Sequence, residues 1–368
     1  MTGTADVLVI GGGIAGVSAA ARIAPDARVT VLEHEGAIGV HATGRSAAIF
    51  IANYGNATLR SLNAVSGPEL EAPDFLDDTV LSPRGEMVVA TEAELPDLER
   101  HLAEGTGVER LTPDEAVALV PVLRRELIHG AAIERDARDI DVDRLLQGFA
   151  RLLRRHGGRI VTGAGAGRIE RADGVWRVAT AAGAFEAPVL VNAAGAWADT
   201  VAGLAGATPV GLVPMRRSAA ILPAPPGHAV DRWPLFVSAS ESWYAKPEAG
   251  KLMVSPADED PVEPHDAWPD DMVLAEGLDR FERMTTVEVT RVERSWAGLR
   301  SFVADRTPVV GFAPDADGFF WLAGQGGYGV QTSPALSRLA ADLVLGRVPA
   351  LPADVVAALH PGRPGLAA

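Results

Sequence analysis

The residues that first suggest chemistry are glycines. Gly11, Gly13 and Gly16 stand in a Gly-x-Gly-x-x-Gly pattern that also includes Gly12, Ile14 and Ala15, and the good helix formers Val17-Ser18-Ala19-Ala20-Ala21 follow it. In that setting the first glycine permits a tight turn, the second lets a pyrophosphate approach the backbone, and the third lets helix and strand pack closely. The helix N-terminus would offer amide donors and about half a positive charge to the phosphates. Glu33 follows about 20 residues later, where a carboxylate accepts from ribose hydroxyls and repels a 2′-phosphate, so NADP is disfavoured. The fingerprint alone serves FAD and NAD equally, and a glycine-rich turn without a ligand is the structural alternative. A weaker candidate is Arg154-Arg155-His156 before Gly157: an anion site is conceivable there, but basic residues at the negative end of a helix explain it more simply.

These residues need a frame. Asp6-Val7-Leu8-Val9-Ile10 reads as a buried strand, Pro25-Asp26 ends the helix, and Arg28 to Glu33 reads as a second strand, which completes a βαβ unit. Residues 50–140 read as mixed strands and short helices. Thr112-Pro113-Asp114-Glu115 is a helix start with a capping box. Leu145, Leu146, Phe149, Leu152 and Leu153 mark one helix face. Val189-Leu190-Val191-Asn192 is a third buried run. The stretch 211–300 reads as strand-like, with a hairpin signal at Pro247-Glu248-Ala249-Gly250. A last strand, Gly318 to Leu322, leads through a glycine-rich loop into a helix from Thr332 to Leu345, and the chain after Pro361 reads as a disordered tail.

The expected fold class is α/β: a Rossmann-like domain interleaved with an α+β substrate domain containing a mixed or antiparallel sheet. Residues 1–50, 140–210 and 301–368 would form the first part, and 51–139 with 211–300 the second. Composition narrows the function. With 368 residues the chain can bury a large core without staples, and its lack of cysteine removes disulfides, Cys-ligated metals and thiol catalysis. The histidines show no metal spacing. A net charge of −15 argues against a general nucleic-acid partner. No segment reads as a membrane span or an export signal, so a cytoplasmic location is expected.

Thr43-Gly44-Arg45-Ser46, the segment Val191-Asn192-Ala193-Ala194-Gly195-Ala196-Trp197 and the loop Gly324 to Gly329 together resemble the D-amino-acid oxidase superfamily of FAD enzymes. The resemblance implies FAD held without a covalent bond, although His41 could in principle tether a flavin. It implies an ADP site at Gly11, Gly13, Ile14, Ala15, Gly16, Glu33 and His34. Thr43, Gly44, Arg45, Ser46, Ala47, Ala194, Gly195 and Trp197 would continue the cofactor site. Arg300, Gly326, Gly327, Tyr328, Gly329, Gln331 and Thr332 would lie beside the isoalloxazine ring.

A closer resemblance within that superfamily is to the bacterial D-arginine dehydrogenases. It is carried by Leu81-Ser82-Pro83-Arg84-Gly85-Glu86-Met87, Arg216-Arg217-Ser218-Ala219, Trp243-Tyr244-x-Lys246-Pro247, Trp296 to Phe302 and Gln325 to Thr332. It implies that Arg217 and Arg300 hold the substrate carboxylate, a task to which the planar guanidinium is suited. Tyr54 and Tyr244 would act as lid and pocket tyrosines, Gly327 would offer a carbonyl to the amine, and Gln331 a polar contact. Tyr54, Tyr244, Arg217 and Arg300 are thus the candidate catalytic set. Glu86 would pair with a cationic side chain. Ile49 and Ile51 stand where the relatives carry polar lid residues, which implies a pocket open to larger or more apolar side chains.

The implied reaction is oxidative deamination of D-amino acids, basic ones favoured, by hydride transfer from Cα to flavin N5. The imino acid would hydrolyse to a 2-oxo acid and ammonia, and a quinone-like acceptor rather than oxygen would reoxidise the flavin. No general base is evident. The alternatives are a glycine- or sarcosine-type amine oxidase that makes hydrogen peroxide, and a non-catalytic FAD-binding subunit.

Overall fold

Val7–Ile10 and Val29–Leu32 form adjacent parallel strands joined through the helix Ile14–Ile23, as the punctuation requires. Arg159–Val161 extends this sheet on one side. Val189–Asn192, Phe319–Ala323 and Val309–Phe312 extend it on the other, and only the last pairing is antiparallel. The strands read as continuous apolar runs because both faces are buried. Val7, Val9, Val29, Val31, Val191 and Phe320 pack beneath the helices Ile14–Ile23, Val142–Arg155 and Ser333–Val344. Leu8, Ile10, Leu190, Phe319 and Trp321 pack on the opposite side, where Trp176, Val178 and Phe185 of a four-stranded sheet cover them. This computed structural model describes residues 2–366; Met1, Ala367 and Ala368, expected in the first part of the fold, lie outside the described residues.

A nine-stranded mixed sheet forms a second body. Its core strands include Glu86–Ala90, Gly130–Glu134, Val213–Leu222, Tyr244–Glu248, Lys251–Ser255 and Arg294–Phe302. All its pairings are antiparallel except Leu235–Ser238 with Glu86–Ala90. The hairpin turn at Ala249-Gly250 has φ of 49° and 75°, the left-handed pair a two-residue turn requires.

Two expectations need correction. The stretch 211–300 is not uniformly strand-like: Asp271–Met284 is a helix whose N-cap, Asp270, accepts from the Met272 and Val273 amides. Leu274, Leu278 and Phe281 bury one of its faces, at helical spacing. The chain just after Pro361 is also held, at Arg363. Arg363 donates to both Asp305 carboxylate oxygens at 2.8 and 3.0 Å and to the carbonyls of Thr307 and Pro308.

Candidate active site

One cavity of about 530 Å³ runs from the Gly11–Ala15 turn to the nine-stranded sheet. Its volume lies within the roughly 300–1,000 Å³ range of small-molecule sites. At its first end the helix Ile14–Ile23 begins at Gly13 with no acidic residue in its own first turn, and the Glu33 carboxylate binds the Gly12 amide just ahead of it. Thr43 Oγ1 accepts from the Ile14 amide at 3.0 Å. A Cβ on Gly16 would sit 2.0 Å from the Gly11 carbonyl oxygen, which is the close helix–strand packing that the third glycine permits. On Gly13 it would meet only Thr43 Oγ1, at 3.3 Å, so this position faces open space. Glu33 is buried, and its two carboxylate oxygens accept from the Gly12 and Glu35 amides at 2.5 and 2.7 Å. His34, Arg45, Ser46, Ala47, Ala194, Gly195 and Trp197 line the middle of the cavity. Gly44 does not line it; a Cβ there would lie 2.4 Å from the Gly39 carbonyl oxygen, so this glycine serves a tight turn.

Arg217 and Arg300 meet at the other end by strand register. Val213–Leu222 and Arg294–Phe302 are antiparallel partners, with Arg217 opposite Gly298. Arg300 is two residues beyond Gly298, on the same face, so the arginines form a diagonal cross-strand pair. Both line the cavity, as do Tyr244 and Gly327. Gly327 packs flat on Arg300: a Cβ there would lie 3.0–3.2 Å from guanidinium atoms. Arg300 Nη1 donates to the Tyr54 hydroxyl at 3.5 Å. Burial opposes the Arg300 charge, but Tyr54, Tyr244 and Glu259 outweigh it and raise the pKa, so Arg300 stays cationic. Tyr54 stacks edge-on against Tyr328 with centroids 4.8 Å apart. Burial and Tyr54 push the Tyr328 phenol up to about 12, against the pull of Arg306 and Arg300.

Several expected residues stand away from the cavity wall. Tyr54 and Tyr328 sit behind Arg300 and Gly327 rather than lining the space. Gln331 is buried and committed to Ile51 and Asn63, and Thr332 donates to the Tyr328 carbonyl, so neither faces the cavity. Ile51 is buried, and Ile49 packs with Val88, Val237 and Tyr244 behind the wall. Glu86 is half-buried beside the cavity, on the sheet face that carries Val88, Val237 and Tyr244. It stands opposite Glu134 in register. Burial, then Glu134 and Glu241, push its carboxyl up to about 8.

One contributor, Glu259, had no local signal. Glu259 holds Arg217 Nη2 at 2.8 Å and Arg306 Nη2 at 3.0 and 3.1 Å. Ser301 and Gln325 line the cavity, and among the described residues the Ser301 hydroxyl and the Gln325 amide nitrogen are buried without a hydrogen-bond partner.

A family model described as "DAO: FAD dependent oxidoreductase" matches residues 6–343. Glycine oxidase of Bacillus licheniformis is 25% identical over 365 residues, which cover 93% of each chain. Among solved structures, glycine oxidase from Geobacillus kaustophilus superposes with a TM-score of 0.83 at 24% identity over 98% of this chain and 99% of that one. The L-proline dehydrogenase of P. horikoshii gives 0.82 at 21% identity, with 96% of each chain covered.

The cavity suits the FAD that this family uses. Gly13 and Gly195 leave room where the backbone must be approached, the helix's own first turn holds no acidic residue, and polar atoms at Ser301 and Gln325 lack a partner among the described residues. With an α/β fold, this cavity and a family match across most of its length, the chain belongs to the DAO family of FAD-dependent oxidoreductases.

Proposed function

We propose that the enzyme oxidatively deaminates D-amino acids, with D-arginine and D-lysine preferred, and delivers electrons to a quinone-like acceptor rather than oxygen. Arg300 is the observation that carries this reading. Among the described residues the only hydrogen bond of its guanidinium is to the Tyr54 hydroxyl, so this group faces the cavity without a bound carboxylate. It can meet a substrate carboxylate with two parallel charge-assisted bonds, each contributing roughly 1.5–3 kcal/mol. Gly327, packed against the same guanidinium, would offer its backbone carbonyl to the substrate amine. Tyr244 closes the wall on the sheet side. FAD, when bound, supplies the two-electron acceptor. The residues therefore act by positioning, and the amine proton goes to solvent because the arginines and tyrosines here are poor bases.

Glu86, without a hydrogen-bonded partner among the described residues, supports the cationic side-chain preference. The sheets support the domain division: strands of the six-stranded sheet fall in 1–50, 140–210 and 301–368, whereas the nine-stranded sheet draws almost wholly on 51–139 and 211–300. No helix among the described residues is long and apolar enough to cross a membrane. The expected cytoplasmic location goes with this reading.

A glycine- or sarcosine-type amine oxidase is the second reading. It is favoured by the glycine oxidases among the relatives and by the position of Glu86 beside the cavity rather than in its wall. A non-catalytic flavin subunit would leave the free Arg300 without purpose. Anaerobic reduction of the flavin by D-arginine, D-lysine, D-leucine, L-arginine, glycine and sarcosine separates the three. Fastest bleaching by basic D-amino acids is expected. Bleaching by glycine and sarcosine alone would move the assignment to the amine oxidases, and none at all to the subunit.

A further inference from the structure

The segment that carries Tyr54 is held by more buried polar groups than a loop needs. Asn63, fully buried on the helix Ala57–Glu71, points its amide nitrogen at three carbonyls: Tyr54 at 3.0 Å, Ala52 at 3.2 Å and Ile51 at 3.4 Å. Its oxygen accepts from Gln331 Nε2 at 2.8 Å, and Gln331 Oε1 in turn accepts from the Ile51 amide at 3.2 Å. Glu134 completes the brace. Its carboxylate is buried without a salt-bridge partner among the described residues, and its oxygens accept from the Ala52 amide at 2.8 Å and Asn53 Nδ2 at 2.6 Å. Buried polar groups are costly unless satisfied, and here Asn63, Gln331 and Glu134 all bond to one four-residue segment. The product of that arrangement is a tyrosine hydroxyl 3.5 Å from Arg300.

We propose that Asn63 is a positioning residue that acts through Tyr54: with Gln331 and Glu134 it fixes residues 51–54 as a rigid wall behind Arg300, where the sequence suggested a lid. The inference rests on the reading of Arg300 and Tyr54 as part of the substrate site. Substrate therefore enters without movement of this segment, and the orientation of the Arg300 guanidinium, on a strand, depends on a side-chain amide of the helix Ala57–Glu71.

A double-mutant cycle tests it in the flavin-loaded enzyme. Asn63→Ala should lower kcat/KM by about tenfold or more on D-arginine and D-leucine alike, since small displacements of positioning groups are costly. In a Tyr54→Phe background the same change should cost less than about threefold. Gln331→Met, which keeps the volume and loses the amide, serves if Asn63→Ala does not fold, with the same expected loss of additivity. Full additivity, or an unaffected kcat/KM in a folded variant, would overturn the proposal. Amide hydrogen exchange gives a readout independent of turnover: the Ile51 and Ala52 amides should exchange slowly in the wild type and at least about tenfold faster in Asn63→Ala. Fast exchange there in the wild type would show a lid and overturn the proposal. If no amino acid reduces the wild-type flavin but exchange behaves as expected, the substrate reading fails while the brace stands.

Discussion

Arg217 donates to Glu259 Oε1 at 2.8 Å and so reaches the cavity already paired with a carboxylate, whereas Arg300, which feels Glu259 only through space, has no hydrogen-bonded carboxylate among the described residues. The two residues share a strand pair and a face, yet they differ as anion receptors. Burial works to raise the Glu259 pKa, but Arg306, Arg217 and Arg300 outweigh it and hold the carboxyl below its ordinary range. Glu259 is therefore ionised at neutral pH and competes with substrate for Arg217.

An asymmetric effect of removing the two arginines follows. Arg300→Met should reduce kcat/KM about a hundredfold or more on every amino acid, because the lost charge-assisted bonds are worth roughly 1.5–3 kcal/mol each. Arg217→Met should cost less than about tenfold, since Glu259 keeps Arg306 as its partner. Steady-state kinetics on D-arginine and D-leucine decide it. Equal losses at the two positions would mean that Glu259 swings away when substrate binds.

Glu86 should make the choice of side chain depend on pH. Its carboxyl, pushed up to about 8 by burial and by Glu134 and Glu241, is mostly protonated at neutral pH. A cationic side chain binds the ionised form, so KM for D-arginine should fall as pH rises through about 8 and then level off. KM for D-leucine should show no such step, and Glu86→Gln should abolish it. Linkage gives the opposite trend for stability. The unfolded carboxyl loses its proton near 4.5 and the folded one near 8, so stability declines as pH climbs through that window. The decline should flatten in Glu86→Gln. Parallel pH profiles for both substrates would remove Glu86 from the substrate site.

The C-terminal segment should contribute to stability. Arg363 places a nearly buried guanidinium against Asp305 and two carbonyls of the strand approach at 305–308. Truncation after Pro361, or Arg363→Ala, should lower Tm by roughly 2–6 °C in thermal unfolding. An unchanged Tm would show that the tail is a passenger.

That tail marks where the sequence stopped being informative. The βαβ unit, the Thr112 capping box and the Ala249-Gly250 turn were legible because each signal lies within a few residues of the structure it sets. Their physics is local: a φ value, a cap, an apolar run buried on both faces. Arg363 with Asp305 and Gln331 with Asn63 are 58 and 268 residues apart in the chain, and neither pair leaves a local trace. The helix Asp271–Met284 could have been read from Asp270 and the spacing of Leu274, Leu278 and Phe281, but the strands around it hid the change of period. At the site, register alone brings Arg217 beside Arg300, and no composition rule predicts that Glu259 will occupy one of them.

The glycine fingerprint offers a separation of fold from cofactor binding. A Cβ on Gly16 would press to 2.0 Å from a backbone oxygen that cannot move without opening the helix–strand contact. Gly16→Ala should therefore destabilise the flavin-free protein, by at least the roughly 1–3 kcal/mol of ordinary overpacking. Gly13 has φ of −76°, which any residue adopts, and a Cβ there meets only Thr43 Oγ1 at 3.3 Å. Gly13→Val should leave the Tm of the flavin-free protein within about 2 °C of the wild type, yet abolish FAD retention, because its methyl groups fill the space the pyrophosphate needs. Absorbance of the purified protein and thermal unfolding after flavin removal measure the two effects separately. If Gly13→Val retained FAD like the wild type, the pyrophosphate would have to lie elsewhere in the cavity, and the helix at Ile14 would lose its assigned role.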